Sequence, residues 1–334
     1  MARFINAPED IQNPMSHFWN LSVQREIGSN YVFEVGYSGN RSYHQLRQRE
    51  TNPGVLTAAL AATAIATENN PSVTAPRLNP NWGSRILLET TSNGEYHAGY
   101  VKFDRRMSKG LLIGANYTWS ANLSDNDEAF TVTDLTASTP QLPQVAIHYV
   151  YEIPWFASGS AALSHVFSGW GIAGATEFQS GQPFTIVTGV DTAGVRDLSS
   201  AFPGRPNYNP NGVFKKDPVT GDLRTFTTPL DGTGIVAAPM GRNGILANSM
   251  PGGGNLGRNT FRGPSFQNWN FAVTKKVSIT EHWQLQLRSD FINLWNHNNF
   301  ANPESRMSFP FFGTNTAALV TDTRQVLLSA KIRF

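Results

Sequence analysis

The sequence predicts an all-β fold, a membrane-spanning antiparallel β-barrel that is incomplete at about nine strands. Three observations predict it. Apolar and polar residues alternate with a period of two over segment after segment. Charged residues make up only 15% of the chain, against roughly 25% in a soluble domain. The connections alternate between short and long, as they do when one end of every hairpin faces the periplasm and the other the exterior.

The elements follow in chain order. In HFWNLSVQRE, Trp19, Leu21 and Val23 share a face, with Asn20, Ser22 and Gln24 opposite. After the turn IGSN, YVFEVGYSG gathers Tyr31, Phe33, Val35 and Tyr37 against Glu34, Gly36 and Ser38. GYVKFDRRM sets Val101 and Phe103 against Lys102 and Asp104. MSKG then turns the chain into LLIGANYTWS, where Leu111, Ile113, Ala115, Tyr117 and Trp119 oppose Gly114, Asn116, Thr118 and Ser120. Further strands are expected at QVAIHYVYEI, GWGIAGATEFQ, FQNWNFAVTKK and HWQLQLRSDF. The chain stops inside the alternation of VLLSAKIRF, with Val326, Leu328, Ala330, Ile332 and Phe334 on one side and Ser329, Lys331 and Arg333 on the other. Membrane strands of about 9 to 11 residues are expected throughout.

The short connections are IGSN, MSKG and VSIT; the intervals 48–94, 121–143, 181–263 and 293–322 are long, and 154–168 is of middling length. A soluble sandwich has no reason to sort its loops in this way. Its solvent face would also carry many charges, whereas here Asn, Ser, Thr, Gln and Gly dominate the polar face. The apolar face repeatedly carries an aromatic residue near a strand end: Trp19, Tyr37, Tyr117, Trp119, Trp155 and Trp283. Aromatic girdles of this kind mark membrane interfaces. On the opposite, lumen face, Glu34, Lys102, Asp104, His148, Glu152, Arg288, Lys331 and Arg333 are candidates to touch a solute; the alternative is that they pair with one another or with a plug.

Composition excludes other classes. A formal net charge of +2, with Lys and Arg scattered, is no footprint for nucleic acid. Cys is absent, which removes disulfides, thiolate catalysis and zinc–thiolate sites. No apolar run approaches the ~18 residues of a membrane helix, and MARFINAPEDIQNP lacks the apolar core of a secretory signal. The odd strand count, which cannot close antiparallel, leads to the expectation that upstream parts of a longer product are missing.

Several strings together resemble a known family. HFWNLSVQREIGSNYVFEVGYSGNRSYH, GLLIGANYTWSANLSD, FSGWGIAGATEFQSGQPFT, RGPSFQNWNFAVTKKVSITEHWQLQLRSDFINLWNHNNFANP and the terminal LSAKIRF resemble, in order, the C-terminal part of TonB-dependent receptors of the Oar-like kind, which carry a carboxypeptidase-regulatory-like sandwich at the N-terminal end. The resemblance runs from about residue 12 to Phe334. It implies a barrel of about 22 strands, a plug inside it, a TonB box and residence in the outer membrane of a Gram-negative bacterium. Residues 1–334 would then be a single partial barrel domain without plug, TonB box or first strands.

The partners implied are outer-membrane lipid, the barrel assembly machinery, and the TonB complex only through the plug. The last strand with Phe334 is similar to the signal read by that machinery, through strand addition at an open edge. The transported ligand, whether siderophore, glycan or peptide, is not specified by the residues. Energised uptake by this chain alone is not expected.

Remaining motifs have plain accounts. Asp125, Asp127 and Glu128 in SDNDE offer oxygen ligands for Ca²⁺ but lack the rest of a calcium loop, so a solvated acidic loop is expected. PGGGNLGRN misses the Lys-Ser/Thr of a phosphate cradle, and WNHNNF with His297 reads as a turn. No H-x-x-x-H pair or G-x-S-x-G motif occurs, so neither enzyme activity nor a cofactor is expected. A passive porin or adhesin barrel and a soluble carbohydrate-binding β protein are the competing classes.

Overall fold

The computed structural model describes residues 4–7, 9–52, 76–83, 85–124, 137–139, 143–154, 167–187, 207–209, 245–247, 256, 258–259, 261–280, 282–305 and 323–334. Nine long strands dominate: β1 (Met15–Ile27), β2 (Tyr31–Glu50), β3 (Arg85–Ser108), β4 (Leu111–Ser124), β5 (Gln144–Glu152), β6 (Trp170–Gln179), β7 (Phe266–Ser278), β8 (Gln284–Ile292) and β9 (Gln325–Arg333). Each pairs antiparallel with its neighbours in sequence, so the sheet is an uninterrupted meander from β1 to β9. Two short strands extend it: Phe4–Asn6 runs parallel to the start of β3, and Ala137–Thr139 caps the end of β4.

Among the described residues the sheet does not close. β1 pairs only with β2, and β9 only with β8. Both strands are exposed along their whole length, as befits edges with no neighbour on the outer side.

Turn chemistry sets the registers. Ser108 pairs with Leu111, leaving Lys109 and Gly110 as a two-residue loop with φ of 50° and 78°. Positive φ at both positions is the type I′ turn, whose twist matches that of the flanking strands. A Cβ at Gly110 would lie 2.4 Å from the backbone oxygen of Glu152, so glycine is required there on two counts. The β7–β8 connection is tied by the Ile279 and Thr280 amides donating to the Trp283 carbonyl.

Strand length departs from expectation in one place. β2 and β3 run to 20 and 24 residues, well beyond the crossing length of about 9 to 11, and they carry the sheet into both ends of the expected 48–94 loop. The ladder continues through two irregularities, between Ser42 and Gln45 and between Gln45 and Arg47. His44, at φ 56°, is the extra residue of the first, a β-bulge. The extension exists because its polar pairs, described below, satisfy groups that a free loop would leave to water.

Little of the described chain is a conventional core. Fully buried apolar side chains are Ile86, Ala98 and Ala272 in the sheet, and Phe184, Ile186, Val187, Leu256 and Phe261 around the short pairing of Pro183–Phe184 with Phe261–Arg262. The wall itself exposes Leu328 at 78%, Leu21 at 70% and Val23 at 67%. A water-soluble sheet with that surface would aggregate; in hydrocarbon the same surface is solvated.

The turn makes a paired prediction. Lys109→Asn removes a side chain disfavoured at positive φ and should stabilise the β3–β4 hairpin by up to about 1 kcal/mol, whereas Gly110→Ala should cost about 1–2 kcal/mol or more. Urea titration of the chain in lipid vesicles, followed by Trp fluorescence, measures both; equal midpoints for the two variants would contradict the turn assignment.

Candidate functional site

The register turns sequence parity into two continuous surfaces. Directly paired residues share a face, so one row runs Val23, Val35, Val101, Tyr117, Val145, Phe178. Toward the long-loop end the rows of this outer face change in steps. Next comes Leu21, Tyr37, Gly99 and Trp119, then Trp19, Gly39, His97 and Ala121, then His17, Arg41, Glu95 and Leu123. Aliphatic gives way to aromatic, and aromatic to charged, over three steps. This is the gradient a wall meets on passing from hydrocarbon through an interface to water.

The girdle candidates divide by end. Trp19, Tyr37, Tyr117 and Trp119 lie toward the long loops, and Trp283 lies at the short β7–β8 turn; Trp155 falls outside the described residues. Trp19 lies over Gly39, where a Cβ would meet its ring at 2.3 Å. The Tyr37 hydroxyl is 2.6 Å from His97 Nδ1. At the other end the Phe334 ring sits 5.4 Å from that of Trp283.

That short-turn end also holds two cations on the outer face that sequence parity alone did not single out. Arg105 lies over the Tyr31 ring at 5.9 Å and donates to the Leu111 and Ser108 carbonyls. Lys275 lies over Trp170 at 5.3 Å and donates to the Ser168 carbonyl. Each carries its charge from the apolar wall to the interface, the snorkelling expected of long basic side chains.

Of the terminal strand, Val326, Leu328, Ala330 and Ile332 pair with Phe291, Ser289, Leu287 and Leu285. They therefore continue the outer face, and Phe334, 91% exposed, follows beyond the ladder.

The inner face collects the other candidates. Glu34 pairs with Lys102; Asp104, Gly114 and His148 form the next row; Glu152, Gly171, Thr274 and Arg288 form another. Most are engaged with one another or with residues not singled out from sequence. Tyr100 donates to Glu34 at 2.8 Å, Lys102 lies 3.0 Å from Asp104, Lys276 lies 3.0 Å from Glu152, and Arg288 chelates Asp290 through Nε and Nη2. Tyr100 packs over Gly36, and His148 over Gly114 beside Asp104. Lys331 and Arg333 pair with Gln286 and Gln284 at the open edge.

Between β5 and β8 small residues, Gly171 and Ala173, form the floor of a groove of about 510 Å³, flanked by Glu152, Lys276 and Arg288. It faces inward near the short turns.

WNHNNF is a turn, as expected. Asn293 and Asn296 adopt φ of 50° and 51°. The Asn293 side chain exchanges hydrogen bonds with the His297 backbone, and Asn299 bridges the backbone of Gln267. His297 Nδ1 contacts Gln267, and no His/Asp/Glu group able to hold a metal occurs among the described residues. Asp125, Asp127 and Glu128 lie outside them, as does most of the glycine-rich stretch at 251–259.

A family model for the outer membrane beta barrel domain matches residues 2–326. The chain belongs to that family. As an outer membrane β-barrel domain it resides in the cell outer membrane, with the graded outer face against lipid.

Among solved structures, the outer membrane transporter YddB from Escherichia coli aligns with 100% of this chain and 34% of its own, at 10% identity and a TM-score of 0.43. The Pseudomonas putida toluene transporter TodX aligns with 96% of this chain and 61% of its own, at 6% identity and a TM-score of 0.26. The barrel domain thus spans about a third of the one and under two thirds of the other. A search of curated protein sequences returned no match.

Beyond the crossing segment, the β2–β3 extension of the barrel domain carries a buried charged cluster. Arg47 Nη2 lies 3.2 Å from Glu89 Oε2, and Arg49 donates to Glu89 Oε1 from Nε at 2.8 Å. Arg47 and Glu89 are both buried. The bulges turn these residues toward the inner face, because each inserts one residue and reverses the parity read below it.

Burial raises the Glu89 pKa, but the hydrogen bonds and charges of Arg49 and Arg47 outweigh it and hold the group below the ordinary 4.5. A depressed folded pKa contributes stability that is full above the unfolded value and is lost as pH falls through the folded one. The protection of the amides at 86–90 against hydrogen exchange, taken relative to their intrinsic rates, should therefore be full at neutral pH and fall as pH drops through the lowered Glu89 pKa. Glu89→Gln should lower that protection at every pH, since it removes the carboxylate that Arg47 and Arg49 share.

Proposed function

We propose that this chain is the C-terminal wall of a TonB-dependent transporter of the Oar-like kind, one part of a larger barrel that takes up a scarce ligand when a plug is displaced. The observation that carries the reading is the pair of open edges. In hydrocarbon an unpaired N–H or C=O costs several kcal/mol, on the order of the penalty for burying any unsatisfied polar group, so β1 and β9 both require partners. With nine strands in the meander, β1 and β9 run in the same direction. An antiparallel seam at each edge then requires an odd number of further strands, which a first portion of about 13 strands in a barrel of about 22 would supply.

The inner face supports the same reading. Lys102–Asp104, Lys276–Glu152 and Arg288–Asp290 are ion pairs and the groove floor is lined by small residues, a surface suited to packing against a folded insert. No catalytic role is assigned, and the ligand class stays open among siderophores, glycans and peptides. Coupling to TonB belongs to the plug in this scheme, and barrel assembly to recognition of β9 and Phe334.

The chain contains no Cys, so Ser22→Cys on β1 with Lys331→Cys on β9 reports on self-closure. In lipid vesicles we expect no intramolecular crosslink and no steady conductance. In cells expressing only these residues we expect no uptake that depends on the proton gradient. A crosslinked, conducting monomer would establish a passive porin instead; gradient-dependent uptake by the chain alone would refute the division of labour proposed.

A further inference from the structure

The outer face does not end at its aromatic residues. One row beyond Trp19 and His97, the register places His17, Arg41, Glu95 and Leu123 side by side across β1 to β4. These strands are lipid-facing just below, so the row meets the headgroup layer on the long-loop side. A row made only to be wetted would need no fixed geometry. This one has it.

Arg41 lies over the Tyr43 ring at 5.1 Å, and its Nη1 lies 3.1 Å from Glu95 Oε1. His17 packs edge-on against the same Tyr43 ring, with centroids 5.8 Å apart. Glu95 is also 3.7 Å from His97 Nε2, and His97 is held from its other nitrogen by Tyr37. The guanidinium is thus oriented by a carboxylate on the adjacent strand and by an aromatic ring on the long-loop side. It carries five N–H donors, and beyond the Glu95 contact these have no protein acceptor among the described residues. The Arg41 side chain is 50% exposed.

We infer that Arg41, with His17 beside it, is a seat for a phosphate-bearing lipid headgroup on the outer wall of the barrel. The planar fork of arginine binds phosphate oxygens two at a time, and the His17 ring N–H adds a donor from the adjacent strand. Glu95 acts as a positioning residue that holds the fork flat against the wall. The lipid tails of such a ligand would continue down the rows of Trp19, Leu21 and Val23, and this continuity selects a lipid over a free anion. The inference rests on the lipid-facing wall alone and stands whether or not the chain works as a TonB-dependent transporter.

Native mass spectrometry of the full chain in mixed micelles tests it, with phosphatidic acid as probe and diacylglycerol and inorganic phosphate as comparators. The unaltered chain should retain one phosphatidic acid at about tenfold lower concentration than diacylglycerol, consistent with charge-assisted bidentate bonding. Excess inorganic phosphate should not displace it. Arg41→Gln should abolish the preference, Arg41→Lys should restore only part of it, and Arg288→Gln on the opposite face should leave it unchanged. Equal retention of both lipids by the unaltered chain overturns the proposal without recourse to any variant. So does displacement by inorganic phosphate, which would mark a free-anion site, or a preference that survives Arg41→Gln.

Discussion

The backbone ladder is the constraint on which the rest of this structure depends. Within hydrocarbon no water is available to satisfy an amide or a carbonyl, so each must bond to the neighbouring strand. The nine-strand meander meets this demand everywhere except along β1 and β9. Those two edges leave the sheet open among the described residues, where a closed barrel has none. The same ladder fixes the register, and the register decides which side chains share a face.

Once the faces are separated, opposite solvents act on them. The outer rows are ordered by depth: aliphatic in the middle, rings at both ends, and charge beyond the rings at the long-loop end. At the short-turn end Arg105 and Lys275 stay on the apolar wall by folding their heads against Tyr31 and Trp170. The inner face is arranged laterally instead. Lys102, Lys276 and Arg288 each meet a carboxylate, and rings such as Tyr100 and His148 lie down over glycines of the adjacent strand, filling the space that a missing side chain leaves.

Above the membrane the rules change. There β2 and β3 lengthen and bulge, and a carboxylate is buried between two guanidinium groups. Such a cluster costs desolvation, and it stays intact only while Glu89 is ionised. Water is close enough to hydrate the rim, yet the ladder excludes it from the centre. The extension thus continues the wall as paired sheet.

Much of this was legible in the sequence. Period-two alternation placed all nine strands, and the short turns located the hairpins, because side chains on a strand alternate whatever surrounds them. The shortage of charge and the aromatic strand ends indicated lipid as the solvent. Three things were beyond reach. The length of β2 and β3 was hidden because irregularities between Ser42 and Gln45 on β2 and between Glu89 and Ser92 on β3 break the alternation that would have announced a strand. The partners of Glu34 and Glu152 depended on register, which a single strand's sequence does not contain. And the grouping of His17, Arg41 and Glu95, which lie on three successive strands, arose only when the ladder set them in one row. Parity is a local property of the polypeptide; alignment between strands is a cooperative one, chosen by turns, bulges and hydrogen bonds acting together.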